Sequence, residues 1–200
     1  MLCLDNRYKA KEYAELVYMS KYQKGLFLFQ RDLRIEDNVA LNLALSECRS
    51  VCPIFVFNPA QCVSNRFKSS NSIQFMVECL EDLEGAIELK GGKLTTMFGD
   101  PARTIDLLLS KGRYSAVYFN YDITPFAKKR QEDIERVCKR RGADLIMAQD
   151  YYLTDPDSIK TTSNGFYTKF TPYYNRCNEM LKSNELVIDR PTTRNGNLGQ

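Results

Sequence analysis

Short apolar runs alternate with amphipathic stretches from residue 25 to residue 149 of this chain. Five apolar runs indicate strands, at residues 26–29, 51–57, 93–98, 115–120 and 144–149. Their hydrophobicity is continuous rather than alternating, which is typical of strands that are buried on both faces of a parallel sheet. The stretches between them repeat apolar residues at helical spacing, so the pattern predicts strands and helices in alternation.

Residues that start or stop helices stand at the boundaries of these stretches. A polar side chain followed by proline favours a helix start, because proline at the first helical position lacks only an N–H that would have no partner there. Glycine favours a stop. The predicted caps and stops are Asp37 for the first helix, Gly91 and Gly92 after a helix over 72–90, Asp100 with Pro101, Thr124 with Pro125, and the stops Gly112 and Gly142.

Right-handed crossovers between these strands favour a doubly wound, Rossmann-like α/β sheet in the order 3-2-1-4-5, with helices on both faces. In such a sheet, ligands bind beyond the carboxyl ends of the strands where the order reverses, here between the first and fourth strands. Residues 30–34 and 121–122 fall there, with 58–59 nearby. The chain has no G-x-G-x-x-G turn and no P-loop. Its charged loop is either a binding feature or a salt-bridged scaffold that caps the first helix.

The flanks of this pattern divide the chain into three parts. Residues 1–24 form an N-terminal extension with a helical pattern at 10–17, and residues 25–150 form the α/β domain. Residues 151–200 are rich in aromatic and polar side chains. We interpret the segment up to residue 183 as a structured loop or a linker, and residues 189–200 as disordered.

Composition and charge narrow the possible chemistry. The chain has no histidine, which excludes Ser-His-Asp and Cys-His catalysis and histidine zinc sites. Its seven cysteines form no C-x-x-C pair, so we interpret them as thiols. The net charge is +3. Basic residues cluster over 125–141, and we favour a solvated helix face over a phosphate-binding surface. No apolar run reaches membrane length and no signal-peptide core is present, so we expect an intracellular protein, cytoplasmic or nuclear.

Several motifs in the chain resemble the N-terminal domain of the DNA photolyase and cryptochrome family. The opening, LFLFQRDLRIEDNVAL at residues 26–41, is similar to the family pattern of an apolar strand followed by R-D-L-R-x-x-D-N-x-A-L. Gln30 departs from that pattern, which often has arginine there. The other similar segments are VCPIFVFNP at 51–59, GDP at 99–101, YDITPFAKKR at 121–130, LTDPDSI at 153–159 and FTPYY at 170–174.

The resemblance implies a domain that can hold an antenna chromophore, which is a folate, a deazaflavin or FMN. In that family the catalytic FAD and the DNA-binding face belong to a helical domain that would follow this region. The resemblance therefore implies that this chain alone does not hold FAD, that a separately encoded FAD-binding domain is its partner, and that it meets DNA only through that partner. Matched position by position, the candidate residues of the antenna cleft or domain interface are Arg31, Asp32, Arg34, Asp37, Asn38 and Asp122.

The leading hypothesis is thus an antenna domain of a photolyase, which repairs pyrimidine dimers with light, present as half of a split or truncated enzyme and inactive alone. None of the candidate residues is a catalytic residue of repair, so whether this chain counts as an enzyme stays open. One alternative is a stand-alone cryptochrome-like module for binding or signalling. Another is a fragment without a function.

Overall fold

The structure is a computed structural model that describes residues 20–63, 65, 69–111, 113–152, 154–155, 157–183, 185 and 198. Its centre is one parallel sheet in the order β3-β2-β1-β4-β5. The strands are β1 (Tyr22–Phe29), β2 (Cys48–Phe57), β3 (Thr95–Phe98), β4 (Ala116–Asn120) and β5 (Asp144–Ala148). The predicted fold class and strand order are confirmed. The helix predicted at 10–17 and the stop at Gly112 lie outside the described residues.

Helices cover both faces of the sheet, as the sequence predicts. The helices in the described residues are α1 (Val39–Glu47), α2 (Pro59–Cys62), α3 (Ser70–Leu89), α4 (Pro101–Ser110), α5 (Pro125–Arg141) and α6 (Phe170–Lys182). Helices α1 and α3 pack in one hydrophobic cluster, and α4 and α5 pack in the other. Because the sheet lies between these clusters, residues 26–29 of β1 and all residues of β4 are buried.

Strand β1 shows why its apolar run is continuous. Phe27 and Phe29 point into the cluster with α1 and α3, while Leu26 and Leu28 point into the cluster with α4 and α5. All four side chains are buried. Successive side chains of a strand point to opposite faces, so a strand that is covered on both sides needs apolar residues at every position. The strand begins at Tyr22, before the predicted domain boundary at Gly25.

The predicted helix caps agree with the structure except at α1. Asp100 and Thr124 cap α4 and α5, and Gly142 ends α5 in the left-handed conformation. The prediction that Asp37 caps α1 was wrong, because the cap is Asn38, whose Oδ1 accepts a hydrogen bond from the Leu41 N–H at 3.2 Å. Asp37 instead has a φ of 49° and forms the turn before the cap.

The carboxyl-terminal region contains structure that the periodicity did not predict. Helix α6 lies within the segment that we interpreted as a loop or linker. Among residues 189–200 the structure describes Leu198, which is 2% exposed and packs in the cluster with α1 and α3. It lies directly over Gly92, where an added Cβ would come within 2.6 Å of the Leu198 Cβ. Within the described part of the chain, no helix is both long and apolar enough to cross a membrane.

Candidate functional site

A buried polar network fixes the loop that follows β1. The Asp32 carboxylate is 2% exposed and accepts hydrogen bonds from the Gln30 N–H at 2.9 Å, from Asn38 Nδ2 at 3.2 Å and from Asn120 Nδ2 at 2.5 Å. Asn120 ends β4, and its Oδ1 accepts from the Ala40 N–H at 3.0 Å. These bonds satisfy a carboxylate that would otherwise be costly to bury. Asp32 and Asn38 therefore join β1, β4 and α1.

An ion pair holds the turn before α1. Arg34 Nη2 donates to both carboxylate oxygens of Asp150 at 3.0 Å and to the Asp37 carbonyl oxygen at 2.6 Å. The Asp150 side chain is 1% exposed, and its Oδ1 also accepts from the Val39 N–H at 3.1 Å. Arg34 and Asp37 thus take part in closing the start of α1. This arrangement matches the scaffold alternative for the charged loop.

The loops after β1 and β4 meet at the point where the strand order reverses. Arg31 Nη1 lies 3.1 Å from Asp122 Oδ2, and Asp122 Oδ1 accepts from the Thr124 N–H at 3.0 Å. Burial alone would raise the pKa of Asp122, but the Thr124 N–H and the Arg31 guanidinium outweigh it and hold that pKa below its ordinary value. The Arg31 guanidinium lies 5.6 Å from the centre of the Tyr151 ring, and the Tyr152 hydroxyl lies 3.3 Å from Asp122. The predicted crevice between these loops is present.

An open cleft of about 280 Å³ borders this pair of loops. Its walls come from the ends of β1 and β2, from α2 and α3, and from the first residues of α4 and α5. The lining residues are Leu28, Phe29, Gln30, Arg31, Phe55, Val56, Gln61, Cys62, Ser72, Ile73, Met76, Pro101, Asp122, Thr124, Phe126, Ala127 and Arg130. Two of the six candidate residues, Arg31 and Asp122, line the cleft. The other four, Asp32, Arg34, Asp37 and Asn38, belong to the scaffold behind it.

Two polar residues that line the cleft, Gln30 and Arg130, are not among the six candidate residues that the sequence suggested. Arg130, on α5, donates a hydrogen bond from Nη2 to Gln30 Oε1, which fixes the orientation of the Gln30 amide. Gln30 Nε2 and Arg130 Nε are both buried and have no acceptor among the described residues. Burial lowers the pKa of Arg130, although Tyr151, Asp122 and Asp32 oppose that shift. An arginine side chain stays charged even so.

The sequence contained one signal that pointed to Arg130. It stands four residues after Phe126 in the P-F-A-K-K-R motif, so both side chains lie on one face of α5. Its place in the basic stretch of residues 125–141 predicts a solvated position instead. Five of the six other basic residues in this stretch pair with acids: Lys129 and Arg136 with Asp133, Lys139 with Glu135, and Arg140 and Arg141 with Asp106. Those pairs agree with a solvated face.

The cleft combines apolar walls with hydrogen-bond donors at one end. Phe55, Val56, Ile73, Met76 and Phe126 provide the walls, and Gln30 and Arg130 provide the donors. Such a site suits a flat apolar ring whose edge carries acceptor atoms. Among the described residues, no group of three or more histidine, cysteine, aspartate or glutamate side chains could hold a metal ion.

Fold and cleft together define a doubly wound α/β domain with a cleft at its topological switch point. The family model for DNA photolyase matches residues 25–192, so this chain belongs to the DNA photolyase family. The resemblance of the sequence motifs to photolyases and cryptochromes is thereby confirmed.

Similar proteins cover this chain well but extend beyond it. A deoxyribodipyrimidine photo-lyase of Synechococcus sp. strain PCC 6301 is 28% identical over 74% of this chain and 31% of its own length. A 31.6 kDa protein of Synechococcus sp. strain PCC 6716 is 26% identical over 81% of this chain and 57% of its own length. The crystal structure of an archaeal photolyase from Sulfolobus tokodaii, which holds two FAD molecules, is 34% identical with a TM-score of 0.76, covering 88% of this chain and 38% of that one. The chain therefore spans between about a third and somewhat over half of these relatives.

Proposed function

We propose that this chain is the antenna domain of a photolyase and binds a light-absorbing heteroaromatic chromophore in its cleft. The observation that carries the proposal is the pair of buried donors, Gln30 Nε2 and Arg130 Nε, which have no acceptor among the described residues. A buried donor without an acceptor costs about 1–3 kcal/mol, and a bound ligand would recover that free energy. Gln30 and Arg130 both line the cleft, so a molecule bound there would lie next to these donors.

Size and polarity restrict that molecule. A volume of about 280 Å³ is near the lower end of small-molecule pockets, roughly 300 Å³. The cleft suits the ring system of a flavin, a deazaflavin or a folate better than a whole dinucleotide. Two donors in one corner favour a ring edge with carbonyl acceptors. The archaeal relative, whose structure with two FAD molecules is described as implicating a novel light-harvesting cofactor, supports this class of ligand.

We propose that a partner protein, and not this chain, carries out the repair of pyrimidine dimers. A separately encoded helical domain would hold FAD and grip DNA, and this chain would pass excitation energy to it. The archaeal photolyase extends beyond the region that it shares with this chain, which is 38% of its own length. We therefore expect the purified chain not to split pyrimidine dimers in irradiated DNA, and we expect a helical FAD-binding partner to restore the reaction. Repair by the purified chain alone would refute this assignment.

Equilibrium titration with FMN, with a deazaflavin and with folate tests chromophore binding. We expect Gln30→Leu and Arg130→Met each to raise the Kd of the bound chromophore about fivefold to thirtyfold, since each removes a hydrogen bond worth about 1–2 kcal/mol. Arg136→Met is the matched control, because Arg136 is on the same helix but pairs with Asp133 outside the cleft. Equal affinity of all variants, or no binding of any of the three compounds, would contradict the proposal.

A stand-alone interaction module is the second candidate function, and α6 is the observation that favours it. Phe170 and Tyr174 stack with ring centres 5.7 Å apart, yet their exposures are 75% and 51%. Exposed stacked aromatics are typical of protein interfaces. The absorbance spectrum of protein purified from its native source separates the two candidates. A bound chromophore supports the antenna domain, and a spectrum without one supports the module.

A further inference from the structure

A tight turn before α6 contains an asparagine–glycine pair, Asn164 and Gly165, and the Asn164 side chain is exposed. In such a pair the glycine nitrogen can attack the side-chain carbonyl carbon of asparagine, because glycine has no Cβ to hinder the approach. A bond forms from that nitrogen to Cγ, the bond from Cγ to Nδ2 breaks, and ammonia leaves with the hydrogen of the glycine N–H. Water then opens the cyclic imide and leaves aspartate or isoaspartate at position 164.

Thr161 holds the backbone of both residues of this pair. The Gly165 N–H donates to Thr161 Oγ1 at 3.0 Å, and the Gly165 carbonyl oxygen accepts from the Thr161 N–H at 2.9 Å. The Asn164 N–H donates to the Thr161 carbonyl oxygen at 2.8 Å. The nitrogen that would attack is therefore a hydrogen-bond donor in the folded turn.

These hydrogen bonds oppose formation of the imide. The imide nitrogen carries no hydrogen, so the bond from the Gly165 N–H to Thr161 is lost during the reaction. Each bond of this kind stabilises the starting state by about 0.5–1.5 kcal/mol. The turn also explains why asparagine is at this position, since its φ is 61° and asparagine is enriched in the left-handed region.

Isoaspartate at position 164 would not fit the same turn. It carries the main chain through the former side-chain methylene, so the path from Thr161 to Gly165 becomes one atom longer. The two residues now exchange hydrogen bonds in both directions. We expect these bonds not to re-form once the chain between them is longer.

We propose that Asn164 is a deamidation site that the turn through Thr161 protects, so that opening of this loop leads to a permanent covalent change. The closed turn slows the reaction, and an open turn frees the Gly165 nitrogen to attack. Water is the only co-reactant. The proposal does not depend on what the cleft binds, because the turn is not part of the cleft.

Mass spectrometry of the full chain after timed incubation at mildly alkaline pH measures the reaction. Trypsin cleaves after Lys160 and Lys169, so the pair falls in one peptide of residues 161–169. The gain in mass reports the change from amide to carboxyl group, and enzymatic methylation counts the isoaspartate. We expect position 164 to react about tenfold more slowly in the folded chain than in the same chain unfolded in guanidinium chloride, since the turn's hydrogen bonds are then absent.

Substitutions at Thr161 test the role of its hydroxyl. Thr161→Val removes the acceptor of the Gly165 N–H and keeps a branched side chain. We expect it to raise the rate at position 164 about twofold to tenfold, as the loss of one hydrogen bond predicts. Thr161→Ser keeps the hydroxyl and should leave the rate unchanged. Thr162→Val is the matched control, because Thr162 is exposed and lies outside these hydrogen bonds.

Two results would overturn the proposal. One is an equal rate at position 164 in the folded and the unfolded chain. The other is a rate in folded Thr161→Val that equals the rate in Thr162→Val. The first comparison uses the unsubstituted chain, so it decides the question even where a variant fails to fold.

Discussion

Asn120 and Asp32 are 88 positions apart in sequence, yet Asn120 Nδ2 donates to Asp32 Oδ2 over 2.5 Å. The same amide donates to Asn38 Oδ1 at 2.9 Å. One side chain at the end of β4 thus connects the loop after β1 to the cap of α1. The position of Arg31 at the cleft depends on this connection, because Arg31 and Asp32 are adjacent in that loop.

We expect Asn120→Ala to lower the free energy of unfolding by about 2–4 kcal/mol, since it removes one hydrogen bond from the buried Asp32 carboxylate and the side-chain acceptor of the Ala40 N–H. Urea denaturation followed by circular dichroism measures the change. Asn71→Ala is the control, because Asn71 is exposed on α3 and its loss should change stability by less than about 0.5 kcal/mol. Equal effects of the two substitutions would contradict the scaffold role of Asn120.

Asp122 should make stability fall at acidic pH. Its pKa is lower in the folded chain than in the unfolded chain, so its contribution is fully present above the unfolded value, about 4. That contribution is lost as the pH falls through the folded value. We expect Asp122→Asn to unfold at a lower Tm than the unsubstituted chain at pH 7, and the difference to shrink below pH 4. A difference in Tm that is constant from pH 7 to pH 3 would exclude this account.

A side chain at Gly92 should displace Leu198 from the hydrophobic core. A Cβ at Gly92 would lie 2.5 Å from the Leu198 carbonyl oxygen, so we expect Gly92→Ala to release Leu198 from the core. Faster removal of the carboxyl-terminal residues by carboxypeptidase measures the release. Gly85→Ala is the matched control on α3, where no atom lies within 4 Å of the added Cβ. That control should stabilise the helix by about 0.5–1 kcal/mol and leave the digestion rate unchanged.

Periodicity and caps predicted the sheet because each depends on neighbouring residues. Leu26 to Phe29 are apolar at every position, which a strand needs when both of its faces are covered. The error of one residue at the α1 cap has a local cause, since Asp37 and Asn38 are both good caps and only the backbone decides between them. Helix α6 was missed because its exposed aromatics follow no buried stripe.

The cleft was harder to predict, because its polar residues come from distant parts of the chain. Gln30 and Arg130 are 100 positions apart, and the strand pattern places only Gln30 in a loop at the crevice. The switch-point rule located the crevice correctly from the loops that carry Arg31 and Asp122. It could not show that Asp32 and Asn38 face inward, since that follows from their bonds to Asn120.

The contact between Asp150 and α1 affects the order in which the chain folds during synthesis. Asp150 follows the last strand, yet it accepts from the Val39 N–H at the start of the first helix, 111 positions earlier. A ribosome releases the first strand and helix long before residue 150 emerges, and domains fold as units once their distant contacts can form. In a nascent chain stalled before that point, the Val39 N–H at the start of the first helix would lack its carboxylate acceptor. The start of this helix, although synthesised early, can therefore be completed only after residue 150 has emerged.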